Sequence, residues 1–228
     1  MKKIILSLCM LFAALASFGQ NALELAKQQQ ELEAFNKKIL NAKPTKAAKQ
    51  QAKELKKEGW TVPAGEPSIE QQVTKSQLYG EELMATEDGA TTKRFFMHTA
   101  MQTSGTYNVG YAAARANAMA EVAGMIKTQL VSSIKLKADN SQTSAINATT
   151  VDKFSQKIDA IVDETLTNGT PMLAIYRRLQ NGNFEVQVRL AFDKKDIMAR
   201  MKKNMQKELE KEGDAVYKVA QEVISNQM

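Results

Sequence analysis

Hydrophobic positions recur at helical spacing over residues 21–58. Leu25, Leu32 and Ile39 repeat every seven positions, and Phe35 and Ala42 continue a second row that Gln28 begins. This is an a/d seam of about three heptads with one polar break. Pro44 interrupts it, and Thr45 can cap a second, Lys-rich helical segment that ends near Glu58-Gly59. Two arrangements satisfy such a pattern: a helix lying on the body of its own chain, or a helical arm that pairs with a partner. Residues 59–68, with two prolines and two glycines, form a loop. Ser68 followed by Gln71 makes a capping box, and the helix it opens runs to about Thr86, before a turn at Glu87-Asp88-Gly89. Trp60 sits in the loop, where its ring is expected to clamp the loop onto the core.

From residue 93 onward the period changes. Residues 94–103 alternate, with Phe95, Met97, Thr99 and Met101 on one face, and read as a strand. After a turn at 105–110, capped by Asn108 or Thr106, a helix to about Leu130 has a small apolar face. Its members are Ala112, Ala116, Met119, Ala120, Ala123, Ile126 and Leu130. Ile134 and Leu136, flanked by lysines, mark a short second strand. Residues 139–149 are polar, and 151–166 are helical with Phe154, Ile158, Ile161 and Val162 on one face. Residues 172–192 form a hairpin. Asn181-Gly182 as a two-residue type I′ turn pairs Leu179 with Phe184, Ile175 with Val188 and Leu173 with Leu190 on one face. Arg178–Glu185 and Tyr176–Gln187 then lie on a solvated face, while Arg177 falls on the apolar face opposite Val186. Asp193 caps a last helix with Ile197, Met201, Met205 and Leu209 in a stripe. Beyond Gly213, Val216, Val219, Ala220, Val223 and Ile224 resume the spacing.

The pattern predicts an α+β fold: a small, mostly antiparallel sheet packed by an Ala-rich helix and further helices, with a long N-terminal helical segment. The expected divisions are a leader over 1–19, a helical arm over 20–58, a linker loop and helix over 59–89, and an α+β domain with a C-terminal helix over 90–228. The leader rests on Lys2-Lys3, the apolar run 4–15, and Ser17 and Gly19 placed for cleavage before Gln20, with a cut after Ala16 as a second option. The run is too short to span a bilayer comfortably. Cys9, the one cysteine, lies inside that run after Leu8 rather than at its end after a small residue, so no lipid anchor is expected. The mature chain then has no thiol, which excludes disulfides, Cys nucleophiles and thiolate metal sites. Loss of Lys2 and Lys3 lowers the formal charge from +6 to +4. The lysines alternate with Glu along helices, as a solvated face requires, and form no clustered stripe for nucleic acid.

The run Gly105-Thr-Tyr-Asn-Val-Gly110, the Ala-rich helix after it, and the hairpin Tyr176-Arg-Arg-Leu-Gln-Asn-Gly-Asn-Phe-Glu-Val carry a resemblance. Over about residues 90–200 the chain resembles the twenty-kilodalton surface-lipoprotein family of Gram-negative envelopes, whose domain is similar to the N-terminal part of a flagellar assembly protein. Leu55-Lys-Lys-Glu-Gly-Trp-Thr-Val-Pro-Ala-Gly is similar to a stretch in uncharacterised exported proteins of Bacteroidetes. The resemblance implies a compartment and a fold, and no catalytic residues. The chain departs from the lipoprotein pattern in lacking an acylatable Cys.

Candidate chemistry is sparse. His98, the one histidine, sits on a strand with no Ser at nucleophile-elbow spacing, and one His cannot build a zinc site. The Gly105–Gly110 turn lacks the Lys and Ser/Thr of a P-loop. No catalytic residue, cofactor or metal site is therefore expected. The leading expectation is a non-catalytic exported envelope protein, periplasmic or extracellular, that binds another envelope protein or itself. It would bind through the N-terminal helix or the Met-lined C-terminal helix, with no nucleic acid and no transmembrane segment after leader removal. The alternative is a ligand-binding module for a cell-wall glycan or an anionic small molecule, with Trp60, Tyr176, Arg177, Arg178 and Arg189 as contacts.

Overall fold

The computed structural model of the chain describes residues 30, 33–35, 37–39, 42–86, 89–140, 148–166, 169–212, 217–218, 220–221 and 224. The leader, most of the heptad seam, the turn at Glu87-Asp88, the stretch 141–147, and Gly213, Val216, Val219 and Val223 lie outside them. The chain divides into two compact units, 1–43 and Pro44–Met228. In the first, residues 33–35 and 37–39 are helical and Phe35 is buried.

The second unit opens with α1, Lys46–Lys57, where the Thr45 hydroxyl accepts from the Ala48 N–H. Its end is set by Gly59, at φ +87°. The Gly59 N–H donates to the Lys56 carbonyl and the Trp60 N–H to that of Leu55, a Schellman closure that only a left-handed residue permits. α2, Ile69–Glu81, starts at the Ser68–Gln71 capping box, with both hydrogen bonds formed. It ends short of Thr86, because residues 83–85 are extended. β1, Leu83–Ala85, pairs with β2, Thr91–Lys93, in a hairpin too short for alternation to reveal.

The main sheet has three antiparallel strands in the order β3-β5-β4: β3 Phe95–Ser104, β4 Thr170–Arg178 and β5 Phe184–Asp193. The long helix α3, Tyr107–Asn140, lies on one face with α4, Ala148–Thr165, and α5, Lys194–Glu212. α1 and α2 cover part of the other face. The segments 44–58 and 59–81, expected as the end of an arm and a linker with its helix, thus pack on the sheet within the second unit. Ala48, Ala52, Trp60, Ile69 and Val73 meet Leu173 and Ile175 there.

Two-sided cover explains the first correction. β4 and β5 pair one residue out of the expected register: Ile175 opposes Gln187, Tyr176 opposes Val186 and Arg177 opposes Glu185. Val186, Val188 and Leu190 face α3, while Leu173 and Ile175 face α1 and α2, so the apolar residues of the two strands serve different cores. The turn follows suit. The Leu179 N–H donates to the Asn183 carbonyl and the Gly182 N–H to that of Leu179. Gly182 alone of this loop has positive φ, +84°, so the connection is a three-residue loop with a glycine bulge and not a type I′ turn.

The second correction concerns α3. Its buried stripe is Ala114, Ala118, Val122, Ile126, Leu130 and Ile134, while Ala112, Ala116 and Ala120 face solvent. Gly110 belongs to the buried stripe, since a Cβ there would stand 2.7 Å from Val186 Cγ2. The Thr106 hydroxyl caps the helix by accepting from Val109. Ile134 and Leu136, expected in a strand, continue the helix because no Gly or Pro stops it and Ile134 is buried. Burial of such a side chain contributes about 1.5–3 kcal/mol, more than the strand preference of one β-branched residue. In α5, Ile197, Met201 and Met205 are buried as spaced, together with Met198. The Met stripe of this helix therefore lies in the core.

Candidate functional site

The five expected contact residues do not form one pocket. They fall at three places.

The first is the clamp at the β4 edge. The Schellman turn of α1 drops Trp60 against β4, where its indole N–H donates to Glu58 Oε2 at 3.2 Å. Arg177 stacks on the indole at 4.8 Å and forms an ion pair with Glu185, its cross-strand partner. Its Nη1 also reaches the Glu58 carbonyl, at 3.3 Å. Arg177 shares the face of Leu173 and Ile175, as expected, but the register shift sets it opposite Glu185 and not Val186. Thr61 and Tyr176 exchange two backbone hydrogen bonds at 2.8 and 2.9 Å, closing part of the outer edge of β4.

The second place lies across the sheet. Tyr176 does not face water; it joins Tyr107, Tyr111 and Phe184 in a half-buried aromatic group, with Tyr107–Tyr176 centroids 5.1 Å apart. Burial raises the Tyr107 phenol above its ordinary pKa. Arg178 stands 5.8 Å over the Phe184 ring.

Arg189 is the third. It lies opposite Thr99 in the β3–β5 register, donating from Nε to Thr99 Oγ1 at 2.6 Å and from Nη1 to Ser76 Oγ of α2 at 2.7 Å. The other arginine near this layer, Arg94, is buried against Asp193 with 2.8 Å between Nη2 and Oδ2, an ion pair that spacing gave no means of finding. Asp193 also accepts from the Lys195 N–H, capping α5 as expected.

His98 faces the α3 side beside Phe96 and Ala100, opposite Leu190, and among the described residues makes no hydrogen bond to a hydroxyl. Among the described residues no cluster of His, Cys, Asp and Glu could hold a metal, and no helix is long and apolar enough to cross a membrane.

One feature went unread in the sequence although its signal was present. From Phe95 to Ala114 there is no Asp, Glu, Lys or Arg. This run contains the whole of β3, which among the described residues is an outer strand: there it pairs only with β5, over ten residues without a bulge. From Met97 to Ser104 no residue of β3 is buried, and Met101 is 51% exposed. Beside it runs the first part of α3, which carries no charge before Arg115, with Val109 61% exposed and Ala112, Ala116 and Ala120 in the open. Asn117 on that face donates to Gln102 of β3 at 3.3 Å, so strand edge and helix face form one continuous surface. An outer strand of this length is ordinarily blunted by charge, Pro or a bulge; β3 has none of these. No family model matches the chain, and no curated protein or solved structure matches it either.

Proposed function

We propose that the chain is a non-catalytic, exported protein of the cell envelope that acts by contact, and that its contact is with a second copy of itself through β3. The carrying observation is the uncharged, unguarded outer edge of β3. A two-fold axis beside that edge would align two β3 strands antiparallel and join the sheets into one of six strands. The copy is the partner favoured by charge: the chain is basic, yet β3 itself carries no Asp, Glu, Lys or Arg, so two such strands meet without like-charge repulsion. The small outer side chains of α3 leave room for the facing helix. Lys2-Lys3, the apolar run and Ser17-Phe-Gly19 support export, and Cys9 inside that run supports an unlipidated mature form.

Sedimentation equilibrium of the mature protein tests the contact. A species of twice the monomer mass is expected, and Met101→Lys with Thr103→Lys, both on exposed positions of β3, should return it to the monomer. A wild-type monomer at all concentrations, or a dimer indifferent to the two lysines, would sink the proposal. The N-terminal residue of the native protein tests export: Gln20 is expected, and Met1 would overturn it.

A further inference from the structure

We propose that Arg189 is the anion-binding element of an open shelf on the sheet, taking the oxyanion of a small ligand: a phosphate, sulfate or carboxylate group. The shelf is the part of the α1/α2 face that those helices leave uncovered. β3 contributes Thr99, Met101 and Thr103 to it, and β5 contributes Glu185, Gln187 and Arg189, all pointing the same way by the alternation of paired strands, with Glu185 neutralised by Arg177. Thr103 and Met101 are exposed and Thr99, Gln187 and Arg189 half-buried, so the shelf is open at the Thr103 end and Arg189 stands at its back, against Ser76 of α2.

Charge balance separates this arginine from the other covered arginines of the sheet. Arg94 has Asp193 and Arg177 has Glu185. Among the described residues no carboxylate lies within ion-pair distance of Arg189; its partners are two neutral hydroxyls. Both acids on β5 that could have served are engaged elsewhere. Burial lowers the proton affinity of the guanidinium and no neighbouring carboxylate opposes it.

The geometry also fits an oxyanion. Thr99 and Ser76 hold Nε and Nη1, which fixes the plane of the fork, while the Nη2 donors have no described acceptor. Each hydroxyl that accepts from the guanidinium keeps its own proton to give. A planar guanidinium fork fixed by such acceptors is the arrangement that recognises phosphate and carboxylate. Met101 and Gln187 in front would meet an apolar and a polar part of the ligand. The inference stands apart from self-association: a monomeric wild type that binds phosphate would end that reading and leave this one.

Thermal unfolding of the mature protein in sodium phosphate, sulfate or acetate, against sodium chloride at equal ionic strength, tests it. A saturable rise in midpoint on the order of 2–4 °C is expected in one or more of the three. A response to phosphate or sulfate assigns a phosphorylated or sulfated ligand, and one to acetate alone assigns a carboxylate. Arg189→Met should abolish the response while melting no lower than wild type in chloride, since it removes a charge without a counter-charge. Should that variant not fold, the Arg189 Nε–H resonance of the wild type, which ought to shift on phosphate titration, decides. Midpoints equal to chloride in all three salts, a response retained by Arg189→Met, or a stationary Nε–H resonance would each overturn the inference.

Discussion

β3 and β4 are the outer strands of one sheet, and they face the same difficulty, a row of backbone groups with no neighbour. On β4 it is met several times over. Pro171 removes a donor near the start, a bulge lies between Pro171 and Leu173, Thr61 takes up the backbone of Tyr176, and Trp60 and Arg177 build over the end. β3 has the longer regular ladder, ten pairs, and none of these devices. Among the described residues one edge is guarded with redundancy and its counterpart is left bare, and the proposed contact through β3 rests on that contrast.

The guard can be broken first. Trp60→Ala removes a buried ring that bridges α1, β4 and Arg177, and should cost about 3–5 kcal/mol in chemical denaturation. It should also expose the β4 edge, read as higher-order association on sedimentation beyond the dimer proposed through β3. Gly182→Ala forces a Cβ into φ +84° at the hairpin loop and should cost about 1–2 kcal/mol, without altering association, because Gly182 belongs to neither outer strand.

A smaller effect concerns the brace under the guard. Lys56 of α1 reaches Glu70 of α2 at 2.6 Å, and this hydrogen bond is the main reason that the Glu70 carboxyl titrates below its ordinary 4.5. The folded chain thus keeps Glu70 ionised where the unfolded chain has protonated it. The stabilisation is present above pH 4.5 and is lost as pH falls through the folded value. Lys56→Ala should flatten that part of the pH–stability curve by about 0.5 kcal/mol or less, since the pair is exposed. Smallest of all should be the cost of Met101→Lys to folding, within about 0.5 kcal/mol, although it is expected to weaken association. A large loss of stability there would mean that β3 is braced by something other than a second copy.

What could be read in advance was local. Thr45, Ser68 with Gln71, and Asp193 announce helix starts because each cap is completed within a few residues. Faces were harder. In α3 alanines fall on several helical stripes at once, and 112, 116 and 120 offered the same spacing as 114 and 118; only the close approach of Gly110 to Val186 fixes the rotation. The hairpin failed for a related reason. A one-sided core makes Leu173, Ile175, Val188 and Leu190 face together, but helices on both sides of the sheet allow alternate strands to turn opposite ways. Arg177 was conspicuous by its position and Arg189 only by its charge. The acid beside the first, and the want of one beside the second, are products of long-range pairing that no window of sequence contains.

α3 outruns the sheet on which it lies. Thirty-four residues of helix extend about 51 Å, whereas ten of β3 reach about 34 Å. Its first turns rest on strands through Gly110 and Ala114, and its last through Leu130 and Ile134 on other helices. One rod therefore belongs to two neighbourhoods with separate means of coming undone. Amide protons near Ala118 should exchange only when the whole molecule opens, and those past Ile134 well before, by fraying that leaves the strands in register.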